Sequence, residues 1–176
     1  MSESPAARVL REDAIAQADA YYLDDDHPYG CAETVFMTLK GIYGLDGPTD
    51  ASAAMAFNGG IAYSGGTCGA ITGAAMAIGM LAEQRLPDHQ RAKAVSRELV
   101  RKTMVAFEAE HGALDCRTLI GYDLQAPGEH QAFIDSGIWR EACVAQIRMV
   151  LSQLAELADR EVWDDVVERV EAVPED

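Results

Sequence analysis

The residues of this chain best suited to chemistry are four single cysteines, Cys31, Cys68, Cys116 and Cys143, with 36, 47 and 26 residues between them. None belongs to a CxxC pair, so no local motif accounts for them. Cys68 stands in Gly65-Gly66-Thr67-Cys68-Gly69-Ala70-Ile71-Thr72-Gly73, where the glycines let a backbone approach another group closely. A thiol at a helix start feels the positive end of the macrodipole. It is drawn toward thiolate, the form that ligates metal or attacks a disulfide. Four thiolates on one point would suit zinc or an iron–sulfur cluster, and soft sulfur excludes magnesium and calcium. Cysteines meeting only in pairs would instead form a dithiol–disulfide couple.

Helices must position these thiols. Apolar residues recur at helical spacing between turns marked by glycine and proline, and no alternating strand pattern is present. The expected fold class is all-α: a single-domain helical bundle over residues 1–176 around a central Gly/Ala-rich helix. Its core spans about 5–158, followed by a C-terminal amphipathic segment over 159–176. The spacing predicts helices over about 4–23, 29–43, 68–85, 87–111 and 137–159, with short elements at 50–57 and 116–121 and a polar loop at 122–129. Thr67 is the expected cap of the central helix. That helix is almost entirely Ala, Gly, Ile, Met and Leu, which places it inside the bundle. Gly69, Gly73 and Ala77 leave a smooth groove along it. Interior glycines cost roughly 1 kcal/mol each relative to alanine, so close packing must offset them. Val162, Trp163, Val166, Val167 and Val170 form a stripe that either covers the bundle or pairs two copies as a homodimer.

Composition narrows the partners. The chain has 176 residues, a net charge of -15 and 49% hydrophobic residues, enough for one packed core. An acidic surface repels phosphate backbones and anionic lipid, so neither nucleic acid nor membrane is an expected partner. Met1-Ser2-Glu3-Ser4-Pro5 carries no apolar secretory run. The apolar stretch 69–82 is interrupted by Thr72 and is shorter than the ~20 residues that cross a bilayer. A cytoplasmic location follows as the expectation, and there permanent disulfides are rare.

Other candidates are weaker. His27, His89, His111 and His130 sit beside charged residues and read as solvated, His27 alone being retained as a tuner of Cys31 four residues on. Glu33 is either a base beside Cys31 or an ordinary first-turn carboxylate. The glycine loop 59–66 could hold an anion at the next helix start, but it lacks the GxxxxGK pattern and follows no strand. The seven methionines read as core filler.

Taken together, Tyr29-Gly30-Cys31-Ala32-Glu33, the run Gly66-Thr67-Cys68-Gly69-Ala70-Ile71-Thr72-Gly73 and the lone Cys116 and Cys143 resemble the C_GCAxxG_C_C family. Its members are all-helical bacterial and archaeal proteins described as redox-active. The resemblance spans roughly Gly30 to Val144, with one departure: Thr67 separates Gly66 from Cys68. It implies redox activity through the four cysteines. Some relatives carry haem, but this chain has no CxxCH. The leading expectation is an iron–sulfur cluster of the 2Fe-2S type on Cys31, Cys68, Cys116 and Cys143, with Gly66 and Gly69 at the cofactor. It would serve electron transfer or redox sensing with a partner protein. The first alternative is a metal-free thiol–disulfide protein with Cys68 as the reactive thiol. The second is a helical interaction module whose cysteines are structural or hold zinc.

Overall fold

The computed structural model describes residues 5–24, 29–47 and 50–172. They form α1 (Pro5–Tyr22), α2 (Cys31–Ile42), α3 (Gly69–Arg85), α4 (His89–His111), α5 (Cys116–Ile120), α6 (Glu129–Ser136), α7 (Ala142–Leu154) and α8 (Arg160–Glu171). Short 3-10 turns occupy Ser52–Phe57, Ile138–Arg140 and Ala155–Ala158. Among the described residues there is no strand, only an isolated bridge between Thr67 and Asp115. The fold is an all-α bundle. Among the described residues no helix is long and apolar enough to cross a membrane.

The helix α3 packs between α2 and α4, as its composition demands. Its small residues explain how. A Cβ at Gly73 would overlap the Ala32 carbonyl, so the backbones of α2 and α3 touch where the two glycines face α2. Around that seam Val35, Leu39, Ile78, Leu81, Val95, Phe107 and Leu151 form one buried core. Each such side chain contributes roughly 1.5–3 kcal/mol of burial. The Tyr43 hydroxyl closes the far end of α2 by donating to the Leu154 carbonyl at 2.8 Å. The Asp88 side chain caps α4 by accepting from the Arg91 amide at 2.7 Å, and Gly112 ends the same helix at φ 82.

Toward the C-terminus the expected helix 137–159 is divided. Gly137 adopts φ 69 and ends α6, a helix in a stretch to which the sequence pattern assigned no element. A 3-10 turn then leads into α7, and a second one ends in extended Asp159, whose carboxylate caps α8 through the amides of Glu161 and Val162. The apolar stripe of α8 covers its own bundle: Trp163 is fully buried and Val167 nearly so. Arg85 locks this arrangement by donating to the carbonyls of Leu157 at 2.7 Å and Ala158 at 2.8 Å, with its guanidinium over the Trp163 ring. That face therefore lends no support to a homodimer.

Candidate functional site: four thiols at four helix starts

Each cysteine stands at a helix N-terminus. Cys31 and Cys116 are the first residues of α2 and α5, Cys143 is the second of α7, and Cys68 is the N-cap of α3. The cap is not the expected Thr67, which lies opposite Asp115 in the isolated bridge, with the pairing hydrogen bonds made by its neighbours Gly66 and Cys68. That pairing brings two cysteines together. The Cys68 amide donates to the Leu114 carbonyl at 2.8 Å, and the Cys116 amide donates to the Gly66 carbonyl at 2.7 Å. Gly66, expected at a cofactor, thus positions Cys116.

All four thiols gather at one end of the bundle. Cys31, Cys116 and Cys143 line a cavity of about 330 Å³ that opens to solvent. Cys68 lies behind them, 2% exposed, with its thiol donating toward Cys31. Gly69 makes this approach feasible, because a Cβ there would overlap the Cys31 sulfur. The single proton of Cys68 has two acceptors in reach, the Cys31 sulfur and the Oε1 of buried Gln146 at 3.4 Å. On the far side the Tyr22 hydroxyl donates to Cys143.

The four environments differ sharply. Cys31 is held down to about 7 from 9.0: Cys68 donates to its sulfur, and the amides of Gly59, Ala32 and Cys31 itself add to this against the cost of burial. Cys68 is pushed well up, first because its proton is shared with the Cys31 thiolate and then by burial. Burial raises Cys116 to about 12, with the Cys31 and Asp115 charges adding to it. Cys143 also rises to about 12 through burial and Cys31, partly relieved by Tyr22. Within this pair Cys31 is the thiol drawn toward thiolate and Cys68 the one that keeps its proton, although both stand at helix starts. The Cys68 thiol donating to Cys31 is the main cause, and the amides around Cys31 add to it.

A side-chain network holds those donors. The Asn58 Oδ1 accepts from the Ala32 amide at 3.0 Å, and its Nδ2 donates to Glu33 Oε2 at 2.6 Å. The same Glu33 oxygen accepts from the Gly30 amide at 2.9 Å. Glu33 is thus a buried capping carboxylate, not a base beside Cys31. Asn58, Tyr22 and Gln146 escaped the sequence reading, since nothing in their local pattern marks them. His130 lines the cavity after all, its ring 5.0 Å from that of Tyr63. His89 pairs with Glu83 at the surface, His111 packs on Phe107, and His27 lies outside the described residues.

Among the described residues, no group of three or more Cys, His, Asp or Glu side chains stands where it could hold a metal ion. The donor set has the right softness for an iron–sulfur cluster, but the sulfurs as placed do not close on a common point. The fold and site together define an all-helical protein with a half-buried thiol backed by a buried one and two further thiols on the same cavity. Residues 29–157 match the family model described as "Putative redox-active protein (C_GCAxxG_C_C)", and the chain belongs to that family. No curated protein and no solved structure gives a significant match.

Proposed function

We infer that the protein is a thiol–disulfide redox protein in which Cys31 and Cys68 form a two-electron couple. The observation that carries this reading is the placement of the partly exposed Cys31, whose sulfur lies against Gly69, beside buried Cys68, which donates to it from behind. The family's redox character supports it. Against a disulfide oxidant the steps balance as follows. The Cys31 thiolate attacks one sulfur, the other leaves as thiolate, and a mixed disulfide forms. Cys68 then loses its proton and attacks the Cys31 sulfur, expelling the second half of the oxidant. From the Cys31 thiolate form, two electrons and the one proton of Cys68 leave the protein, the oxidant is released as two thiol-level halves, and one intrachain S–S bond is made. Cys31 suits the first role because the Cys68 thiol, and after it the nearby amides, stabilise its thiolate. Cys68 suits the second because it is already in contact.

The test is oxidation of the reduced protein with a small disulfide, followed by peptide mapping. A Cys31–Cys68 bridge is expected as the first product. A first bridge between Cys116 and Cys143, or none, refutes the reading.

A second reading, the 2Fe-2S cluster, keeps one observation in its favour: four cysteines at four positive helix ends converge on one region. In it Cys31, Cys68, Cys116 and Cys143 would be the ligands, and the sulfurs would have to shift to meet the metal. Anaerobic purification with iron supplied, and assays for iron, zinc and acid-labile sulfide, decide between the two. Stoichiometric iron and sulfide lost in Cys→Ser variants would replace the dithiol account, and zinc without sulfide would point to a structural site.

A further inference from the structure

The cavity in front of the thiols is aromatic out of proportion to the chain. Of two Trp, six Tyr and four Phe in the whole sequence, Tyr22, Tyr29, Tyr63, Phe133 and Trp139 line this one opening. Tyr22 and Trp139 meet edge to face at 5.7 Å, and the Arg140 guanidinium lies 4.2 Å from the Trp139 ring. Tyr63 is nevertheless 45% exposed, and Ile134, also on the cavity, is 43% exposed, so apolar surface at this opening stays in water.

The backbone adds an independent sign. Gly59, Gly60, Ile61, Ala62 and Tyr63 all have φ between 51 and 74, a continuous left-handed turn. Glycine adopts that region freely, but three successive side-chain-bearing residues do so only against steric opposition. Strain of this kind persists where the surroundings impose it, and it concentrates at functional sites. Here it delivers the Tyr63 ring to the cavity and the Gly59 amide to the Cys31 sulfur.

We propose that this cavity binds a small planar quinone, stacked on its aromatic walls in front of the thiols. Flat rings gain from offset and edge-on contact with Tyr, Phe and Trp, and the size of the opening falls in the range of small-molecule sites. The choice of a quinone rests on the dithiol reading. When Cys31 and Cys68 close their bridge, two S–H bonds break, one S–S bond forms, and two electrons and two protons are released. A quinone takes up those two electrons, and each of its carbonyl oxygens gains one proton, giving a hydroquinone.

The experiment separates binding from chemistry. Calorimetric titration of the folded Cys31→Ser/Cys68→Ser protein with 2,3-dimethyl-1,4-naphthoquinone, whose ring is blocked against thiol addition, measures the site alone. One quinone per chain is expected, weakened roughly tenfold in Tyr63→Ala and retained in Tyr63→Phe. No saturable binding, equal binding of a saturated bicyclic dione, or preference for flavin mononucleotide overturns the proposal. Reduced wild-type protein should then convert the bound quinone to hydroquinone with one equivalent of Cys31–Cys68 disulfide. Binding without that conversion leaves the site standing and overturns the quinone as oxidant of this pair, while disulfide mapping judges the dithiol reading separately.

Discussion

The Cys31 sulfur occupies the space that a side chain at Gly69 would need, so α2 and α3 can bring Cys31 and Cys68 into contact only with glycine at that position. Besides the sulfur, a Cβ at 69 would stand 3.0 Å from the Ala32 nitrogen, so the α2 backbone offers no easy escape. Gly69→Ala should therefore destabilise the reduced protein by about 1–3 kcal/mol, the usual cost of overpacking. It should also slow formation of the Cys31–Cys68 bridge. Urea denaturation and timed disulfide mapping on the same variant check both halves.

The thiols make stability depend on pH in two opposite ways. Cys31 is lowered from 9.0 to about 7, so in this interval the unfolded chain binds the extra proton and stability rises with pH. That contribution is complete above pH 9 and is lost as pH falls through 7. Cys116 and Cys143 are raised from 9.0 to about 12, so the folded chain keeps protons that the unfolded chain releases. Stability then falls from pH 9 toward 12. The difference in unfolding free energy between wild type and a variant with all four cysteines replaced by serine should pass through a maximum near pH 9. A difference independent of pH would mean that the four thiols share one ordinary environment.

Asn58 should matter more than an exposed-loop asparagine. Asn58→Ala removes one donor to the buried Glu33 carboxylate and leaves the Ala32 amide without its acceptor. A loss of about 1–3 kcal/mol is expected. Because the same residue precedes Gly59, the pH at which Cys31 becomes half-alkylated by iodoacetamide should move upward from about 7. Unchanged alkylation would show that the Gly59 amide holds its place without Asn58.

The fold and the site should separate at Trp163. This ring is fully buried at the opposite contact, beneath Arg85. Trp163→Ala should cost about 3–5 kcal/mol in thermal or urea unfolding. In the protein that remains folded, the pH profile of Cys31 alkylation should be unchanged. A shifted profile would reveal coupling between α8 and the cavity.

Much of this was legible in the chain, and the rest was not for definite reasons. The Gly/Ala composition of α3 placed it inside the bundle, and the Gly69–Gly73 spacing anticipated the close α2 contact, because both depend only on side-chain size at helical intervals. Spacing left open whether the cysteines meet at one point or in pairs. Their ranking was not legible. The dipole argument applied to Cys68 as well as to Cys31, but the difference lies first in the Cys68 thiol donating to Cys31 and then in the Gly59 amide, brought from a left-handed turn that no propensity scale indicates. Cys143 read as mid-helix because the break at Gly137 is a matter of one backbone angle. The cavity walls come from Tyr22, Tyr63 and Trp139, which are far apart in sequence and meet only through tertiary packing.

In the proposed couple Cys31 attacks and Cys68 resolves. The most direct test is to treat metal-free reduced Cys68→Ala protein with a small disulfide at mildly alkaline pH, because the variant lacks the donor that lowers Cys31, and to locate the adduct by mass spectrometry. A mixed disulfide should accumulate on Cys31 alone and not resolve, whereas wild type passes through it to the intrachain bridge. An adduct on Cys116 or Cys143, or a Cys31 that stays unmodified while those react, would contradict the proposed couple.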